Sequence, residues 1–428
     1  MATDVAKVDS TACSDVKELE RRPQPGAKVA FFGIFGVQNL GNECTLQAVL
    51  HHARQRLNDA QFCAISSDPG DTLRRHGLAA FPMSYQNFSN PRPGRLAKLI
   101  RILFKRMPGE LMDWAKAVRD LRDTNLVVMT GTGMVTDYSS SAFGYPYHLF
   151  RFAAAARLAG SKVRFVGVGV GPIYERLSRR FLRWAFKLAD YRSFRDEFSR
   201  NRIATIYDSS KDYVFPDLAF SLPQSVFQVR QNGNRQKQQV GLGIMDHRDV
   251  HRLSSSEQET AYSAYLDAMC EFVEWLLKHE YHVRILQGDA KYDVAPRRDL
   301  KARLEQRGIR YEQAGIFDES SSSVDELVGQ IAQVDIVVSP RFHSLLLGIM
   351  MNIPAISISY DPKNDALLEG VGLGKYRQAL SDLDVRLLIQ QFIDLQNNIQ
   401  EVKPLLRDKV NEYRRLLDKQ YDLIFGDL

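Results

Sequence analysis

Between Asp335 and Lys363 the chain reads DIVVSPRFHSLLLGIMMNIPAISISYDPK, a stretch rich in residues that handle a small anion and a proton. Arg341 and His343 follow one apolar run (Ile336 to Val338), and Asp361 and Lys363 follow a second (Ala355 to Ile358). The segment between them is small, apolar and helix-forming, so a strand, a helix and a parallel strand are expected. Ligands of such units bind in the crevice beyond the carboxyl ends of the strands, where both charged loops open. A guanidinium presents a planar fork to a carboxylate or phosphate, an ammonium presents a point charge, and an imidazole titrates near neutrality. Two fixed cations beside one titratable ring suit an anionic substrate that gains or loses a proton during reaction. A lone histidine is more often structural; what favours function at His343 is its place two residues past Arg341 at a sheet mouth.

The elements around this unit repeat its rhythm. Strands are expected at Val29 to Phe35, Phe62 to Ile65, Leu126 to Gly131 and Val163 to Val170, with helices at Cys44 to Leu57 and Pro146 to Leu158. After a polar, Gln-rich segment at 228–239 the alternation resumes with strands at Val240 to Ile244, Val283 to Gly288, Asp335 to Ser339 and Ala355 to Ile358. Helices fall at about Glu257 to His279 and Val324 to Gln333. This is an α/β chain of two Rossmann-like domains, 27–227 and 240–428, facing a cleft. Residues 1–26 read as a disordered tail, and the charged helical stretch from Asp384 is expected to pack back across both domains.

Other strand ends carry weaker signals. GVQNLGNECTLQAVL opens a helix with Asn39, Gly41, Asn42 and Glu43, where free backbone N–H groups favour an anion, although simple capping by Asn42 explains the residues as well. TGTGMVTD, ending in Asp137, lets a ligand approach the backbone but does not match the dinucleotide fingerprint GxGxxG. GVGVGP (Gly167 to Pro172) ends a strand in the same way. In SFRDEFS, Asp196 and Glu197 are ordinary first-turn acids, so Arg195 stands out; Asp217 in FPD either orients it or ends a strand.

Composition narrows the partners. The formal charge of +6 is modest for 428 residues and the aromatics are not interleaved with basic runs, which argues against nucleic acid. Four scattered cysteines with no CxxC, and histidines without ligand spacing, indicate neither a disulfide framework nor a metal site and fit a reducing cytoplasm. No apolar run is long enough for a membrane span. Two stretches, RLAKLIRILFKRM (Arg95 to Met107) and ERLSRRFLRWAFK (Glu175 to Lys187), pair a basic face with an apolar one at helical spacing. Such helices either lie on an anionic membrane surface or solvate a basic face, and their repetition favours an acidic or membrane-bound partner.

Taken in order, NLGNE (Asn39 to Glu43), GTGMVTD, GVGVGP, RDEFS (Arg195 to Ser199), Pro216–Asp217, RFH and SYDPK resemble the motifs of the polysaccharide pyruvyl transferase family, over about Lys28 to Gly372. One departure is Asn42, which stands where the family's first turn usually carries an acid. The resemblance implies a GT-B-like enzyme that moves the enolpyruvyl group of phosphoenolpyruvate to a sugar as a cyclic ketal and releases phosphate. It implies His343 as acid/base, Arg341, Arg195 and Lys363 on the donor, and an acceptor near Asn39, Glu43 and Asp137. It calls for no cofactor or metal. A polysaccharide or its lipid-linked precursor is the expected acceptor, and the inner face of the cell membrane an expected station. Two rivals stay open: a nucleotide-sugar glycosyltransferase of the same architecture, and a non-catalytic carbohydrate-binding relative.

Overall fold

A computed structural model describes residues 26–84, 107–138, 140–228, 237–248 and 254–428. The tail before Gly26, the basic run 95–106 and most of the Gln-rich segment 228–239 lie outside these residues. The first half of the chain forms a seven-stranded sheet from β1 (Lys28–Phe32), β2 (Gln61–Ser66), β3 (Ala79–Pro82), β4 (Leu126–Thr130), β5 (Lys162–Val168), β6 (Tyr191–Phe194) and β7 (Tyr213–Val214), in the order β3-β2-β1-β4-β5-β6-β7. The second half forms a six-stranded sheet from β8 (Gln239–Gly243), β9 (His282–Leu286), β10 (Ile316–Phe317), β11 (Ile336–Ser339), β12 (Ala355–Ser359) and β13 (Arg377–Ala379), ordered β10-β9-β8-β11-β12-β13. Every described strand pair is parallel. Parallel strands need crossovers that cover both sheet faces, which is why LVVMT in β4 and IVVS in β11 are buried at every residue.

Both sheets share one plan: the chain winds outward from the first strand in one direction, then returns to its other side. The reversal lies between β1 and β4 in one sheet and between β8 and β11 in the other, and there the flanking loops part to leave a crevice. The two crevices face each other. Gln38 and Asn39, in the loop after β1, meet the turn after β9: Ala290 N–H donates to the Gln38 carbonyl at 3.1 Å, and Asn39 Nδ2 donates to Asp289 Oδ2 at 3.1 Å.

The last helix, Ile399–Phe425, does not stay with the second sheet. Tyr413 donates from its hydroxyl to the Gly370 carbonyl in the second domain at 2.8 Å, while two turns later the Tyr421 hydroxyl meets Ser221 Oγ at 2.7 Å. Gln420 reaches Ser193 of β6 at 2.6 Å, and Arg164 of β5 binds the Leu423 and Ile424 carbonyls and Asp427. The chain thus ends on the first sheet.

Candidate active site

The loop after β11 is shaped from within. Arg341 N–H donates to Ser339 Oγ at 3.0 Å, and buried Asn364 donates from Nδ2 to the Pro340 carbonyl at 2.7 Å, which ties the loop after β12 onto the loop after β11. Helix Phe342–Met350 starts directly, with Arg341 at its N-cap and no side chain on its free N–H groups. Helix Pro362–Gly370 is capped by Asp361, which accepts from Lys363 N–H at 3.0 Å. RFH and SYDPK therefore form one rigid wall with an open helix N-terminus, a setting that favours anions.

His343 projects from this wall across the cleft onto Gly41, in the first turn of helix Leu40–Arg56. A Cβ at Gly41 would stand 2.0 Å from Nδ1 and 2.2 Å from Cε1 of the imidazole, so only glycine admits the ring. Nε2 is buried and has no hydrogen-bond partner. Burial drives the imidazole pKa down to about 4; Asp217 opposes this, while Arg195 and Lys363 reinforce it. The ring is neutral at physiological pH, poised to take a proton once negative charge arrives beside it.

Arg195 comes from the opposite domain, at the end of β6. Its guanidinium lies over the Phe342 ring, 5.0 Å from the centroid, and stands 3.4 Å from carboxylate oxygens of both Asp217 and Asp196. Gly169 makes room for it, since a Cβ there would meet the guanidinium carbon at 2.6 Å. Burial alone would lower its pKa, but Asp217, Asp196 and Asp361 outweigh that and raise it. Asp217, 7% exposed, also accepts from Ala219 N–H at 3.0 Å, so it is fixed while it holds Arg195.

Arg341 is anchored too. Its Nη2 donates to Asp293, a fully buried carboxylate whose other oxygen accepts from Gly288 and Asp289 N–H at 2.9 Å each. Burial pushes the Asp293 carboxyl up against the downward pull of Arg341. Arg341 Nε keeps no partner, leaving donors for a ligand. Lys363 rests its ammonium 4.9 Å from the centre of the Tyr360 ring.

The three residues expected on the acceptor side are engaged inside the protein. Asn39 caps helix Leu40–Arg56 with its oxygen and clasps Asp289 with its nitrogen. Glu43 is 2% exposed; one oxygen accepts from Gly36 N–H at 2.9 Å and the other meets His76 Nε2 at 2.7 Å. Asp137 accepts from Tyr174 and Glu175 N–H at 2.8 and 2.7 Å, folding back the loop after β5. Asn42 donates to the Ile34 carbonyl at 3.0 Å, which accounts for an amide at this position. These side chains shape the loops lining the first domain's side of the cleft. Asp289, Asp293 and Phe342 pack on these candidate residues and were not singled out by the sequence; the acidic turn DAKYD, two residues past β9, was the available signal.

Arg195 from one domain and Lys363 from the other therefore act on the neutral imidazole of His343, while Arg341, two residues before it, is held by the Asp293 carboxylate. The sequence profile described as polysaccharide pyruvyl transferase matches residues 39–362, from the Asn39 clasp to the SYDPK loop. The chain belongs to the polysaccharide pyruvyl transferase family. No curated protein sequence matches this pyruvyl transferase family member. Solved structures that it resembles include UDP-GlcNAc 2-epimerase from Neisseria meningitidis bound to UDP-GlcNAc, at 11% identity and TM-score 0.53, covering 92% of this chain and 100% of that one. A glycosyltransferase from Rickettsia africae matches at 12% identity and TM-score 0.56, covering 94% and 98%. At such identities the likeness shows the fold alone: two facing Rossmann-like domains of GT-B type.

Proposed function

We propose that the protein transfers the pyruvyl group of phosphoenolpyruvate to two hydroxyls of one sugar in a polysaccharide or its lipid-linked precursor, forming a ketal and releasing phosphate. The observation that carries this reading is the buried, unpartnered Nε2 of His343, in a ring whose charge responds to Arg195 and Lys363. Phosphoenolpyruvate carries a carboxylate and a phosphate, two planar or tripodal anions for which Arg195 and Arg341 offer forks and Lys363 a point charge. Its negative charge raises the His343 pKa, so the imidazole enters the reaction protonated. His343 gives that proton to the methylene carbon, and C2 becomes cation-like. A sugar hydroxyl then attacks C2 and returns a proton to His343. The C–O bond to phosphate breaks, a second hydroxyl closes the ketal, and its proton leaves with phosphate. The sum is donor plus diol to ketal plus phosphate, with His343 restored.

The acceptor lies against the loops that Asn39, Glu43 and Asp137 support, rather than on those engaged side chains themselves. A cytoplasmic station is the corresponding reading, since that is where phosphoenolpyruvate is made. The test incubates the protein with phosphoenolpyruvate, or in parallel with nucleotide sugars, and a panel of glycan precursors, read by mass spectrometry and phosphate release. Pyruvyl addition with stoichiometric phosphate supports the reading. Glycosyl addition from a nucleotide sugar would replace it with the glycosyltransferase alternative, and binding of glycan without turnover would replace it with the non-catalytic one.

A further inference from the structure

Helix Arg176–Leu188 packs Phe181, Leu182, Ala185 and Phe186 into the first domain's core, so its apolar side is already taken. Its outer side is basic: Arg176, Arg179, Arg180, Arg183 and Lys187 are all exposed. Arg179 and Arg183 donate to the Ile173 and Ile206 carbonyls, while Arg176, Arg180 and Lys187 have no partner among the described residues. Amid these charges stands Trp184, 45% exposed, one turn from Arg180 and Lys187. It is the end of an aromatic band across three helices: Trp114 meets Phe150 at 6.0 Å, Phe150 meets Trp184 at 5.3 Å and Phe181 at 5.6 Å, and Phe181 meets Phe143 at 5.8 Å. The band surfaces again at Phe143, 54% exposed, and on the Trp114 helix Leu111, one turn from Trp114, is 70% exposed.

We infer that this face docks on an anionic lipid bilayer. A basic face alone would be solvated and an apolar patch alone would be ambiguous; exposed cations, three of them without a partner among the described residues, surrounding an exposed tryptophan match the headgroup layer, which is anionic outside and amphipathic just beneath. No helix among the described residues is long and apolar enough to cross a membrane, so attachment is peripheral. The helix starts on the cleft side of the first domain. It begins just past the loop that Asp137 folds back and that carries Gly169, the residue packed on Arg195. Lipid docking would therefore bring the first domain's side of the cleft to a glycan carried on the same membrane, a consequence that rests on the reaction proposed above, whereas the docking itself does not.

The full chain is sedimented with vesicles of equal parts phosphatidylglycerol and phosphatidylcholine, and with pure phosphatidylcholine, at low and high salt. Binding to the anionic vesicles alone, weakening steeply with salt, is expected. A blue shift of tryptophan fluorescence that is lost in Trp184→Phe should accompany it. Each neutralised cation lowers partitioning about fivefold. Arg176→Gln, Arg180→Gln and Lys187→Gln together should therefore lose about a hundredfold, with the melting temperature and transfer to a soluble acceptor unchanged. The inference is overturned by absence of binding to anionic vesicles at low salt, by binding that survives the triple substitution, or by a dimer that Trp184→Ala dissociates, which would make this face an interface between copies. The wild-type salt dependence and the Trp184 signal decide the matter even if the triple variant misfolds, and neither depends on whether pyruvyl transfer is detected.

Discussion

Gly41→Ala is the smallest change that tests whether His343 works where it sits. The new methyl would lie 2.0 Å from Nδ1, 2.2 Å from Cε1 and 2.6 Å from Cγ of the imidazole, against an ordinary separation of about 3.5 Å, so the ring must retreat by about 1.5 Å. Misplacing a reacting group by about 1 Å costs on the order of a hundredfold in rate, and a loss of at least that size is expected in turnover. Stability should respond much less. Overpacking costs about 1 to 3 kcal/mol, and alanine in place of glycine in a helix returns up to about 1 kcal/mol. Phosphate release at saturating phosphoenolpyruvate, together with thermal melting, measures both quantities. In a His343→Ala background the clash vanishes, so adding Gly41→Ala there should cost neither stability nor residual rate, a clear departure from additivity. Wild-type turnover in folded Gly41→Ala, or an equal further loss in the His343→Ala background, would refute the contact as a determinant of catalysis.

Further outcomes follow from the same network. Because an unfolded imidazole takes up its proton near 6.5 and that of His343 only near 4, the unfolded state binds more protons across that window; stability is full above it and falls as pH drops, by about 1.4 kcal/mol per pH unit. Half-buried His148, also lowered to about 4, adds its own share, so the His343 part is read as the difference between wild type and His343→Ala. Nuclear magnetic resonance titration should find the His343 midpoint rising when phosphoenolpyruvate binds; an unmoved midpoint would remove the donor from its vicinity. Arg341→Ala leaves Asp293 buried and unpaired, which costs about 3 to 5 kcal/mol; Arg341→Ala with Asp293→Asn should recover much of the melting temperature but none of the donor affinity, and recovery of both would make the pair purely structural. Arg341→Lys keeps the charge without the fork, so donor affinity by calorimetry should still fall. Asn39→Ala removes a helix cap and an interdomain bond together, and a loss of about 1 kcal/mol or more in urea unfolding is expected.

The apolar runs and the positions of the charged loops were legible because burial on both faces of a parallel strand writes itself as an unbroken apolar stretch. Ile336–Ser339 and Ala355–Ser359 fall within a residue of expectation for that reason, and RFH and SYDPK stand at their ends. Two-residue β7 and β10, and edge strand β13 with its RQA sequence, carry too little apolar signal to be read. The side-chain partners were illegible for a different reason: Glu43 is satisfied by His76 and Arg341 by Asp293, each from a distant part of its own domain, and Asn39 by Asp289 of the facing domain, contacts set by the tertiary fold. Charged residues at a strand end look alike in sequence whether their oxygens face a ligand or a neighbouring N–H. His343 was readable as titratable, but its neutrality and its dependence on Gly41 required the other domain.

The polypeptide passes between the domains twice, once after Leu222 and once through the helix that leaves Tyr413 on Gly370 and brings Tyr421 to Ser221. One crossing is a joint; two crossings define an axis. Any relative motion would thereby be confined largely to rotation about the line joining them, released at the Gln38–Ala290 and Asn39–Asp289 bonds, while sliding and twisting would also have to break the Arg164 and Gln420 contacts at the chain's end. Such a mechanism has nearly one degree of freedom. Were the cleft to open, His343 on one arm would return to the same spot above Gly41, its alignment set by the bearing rather than by each arriving substrate.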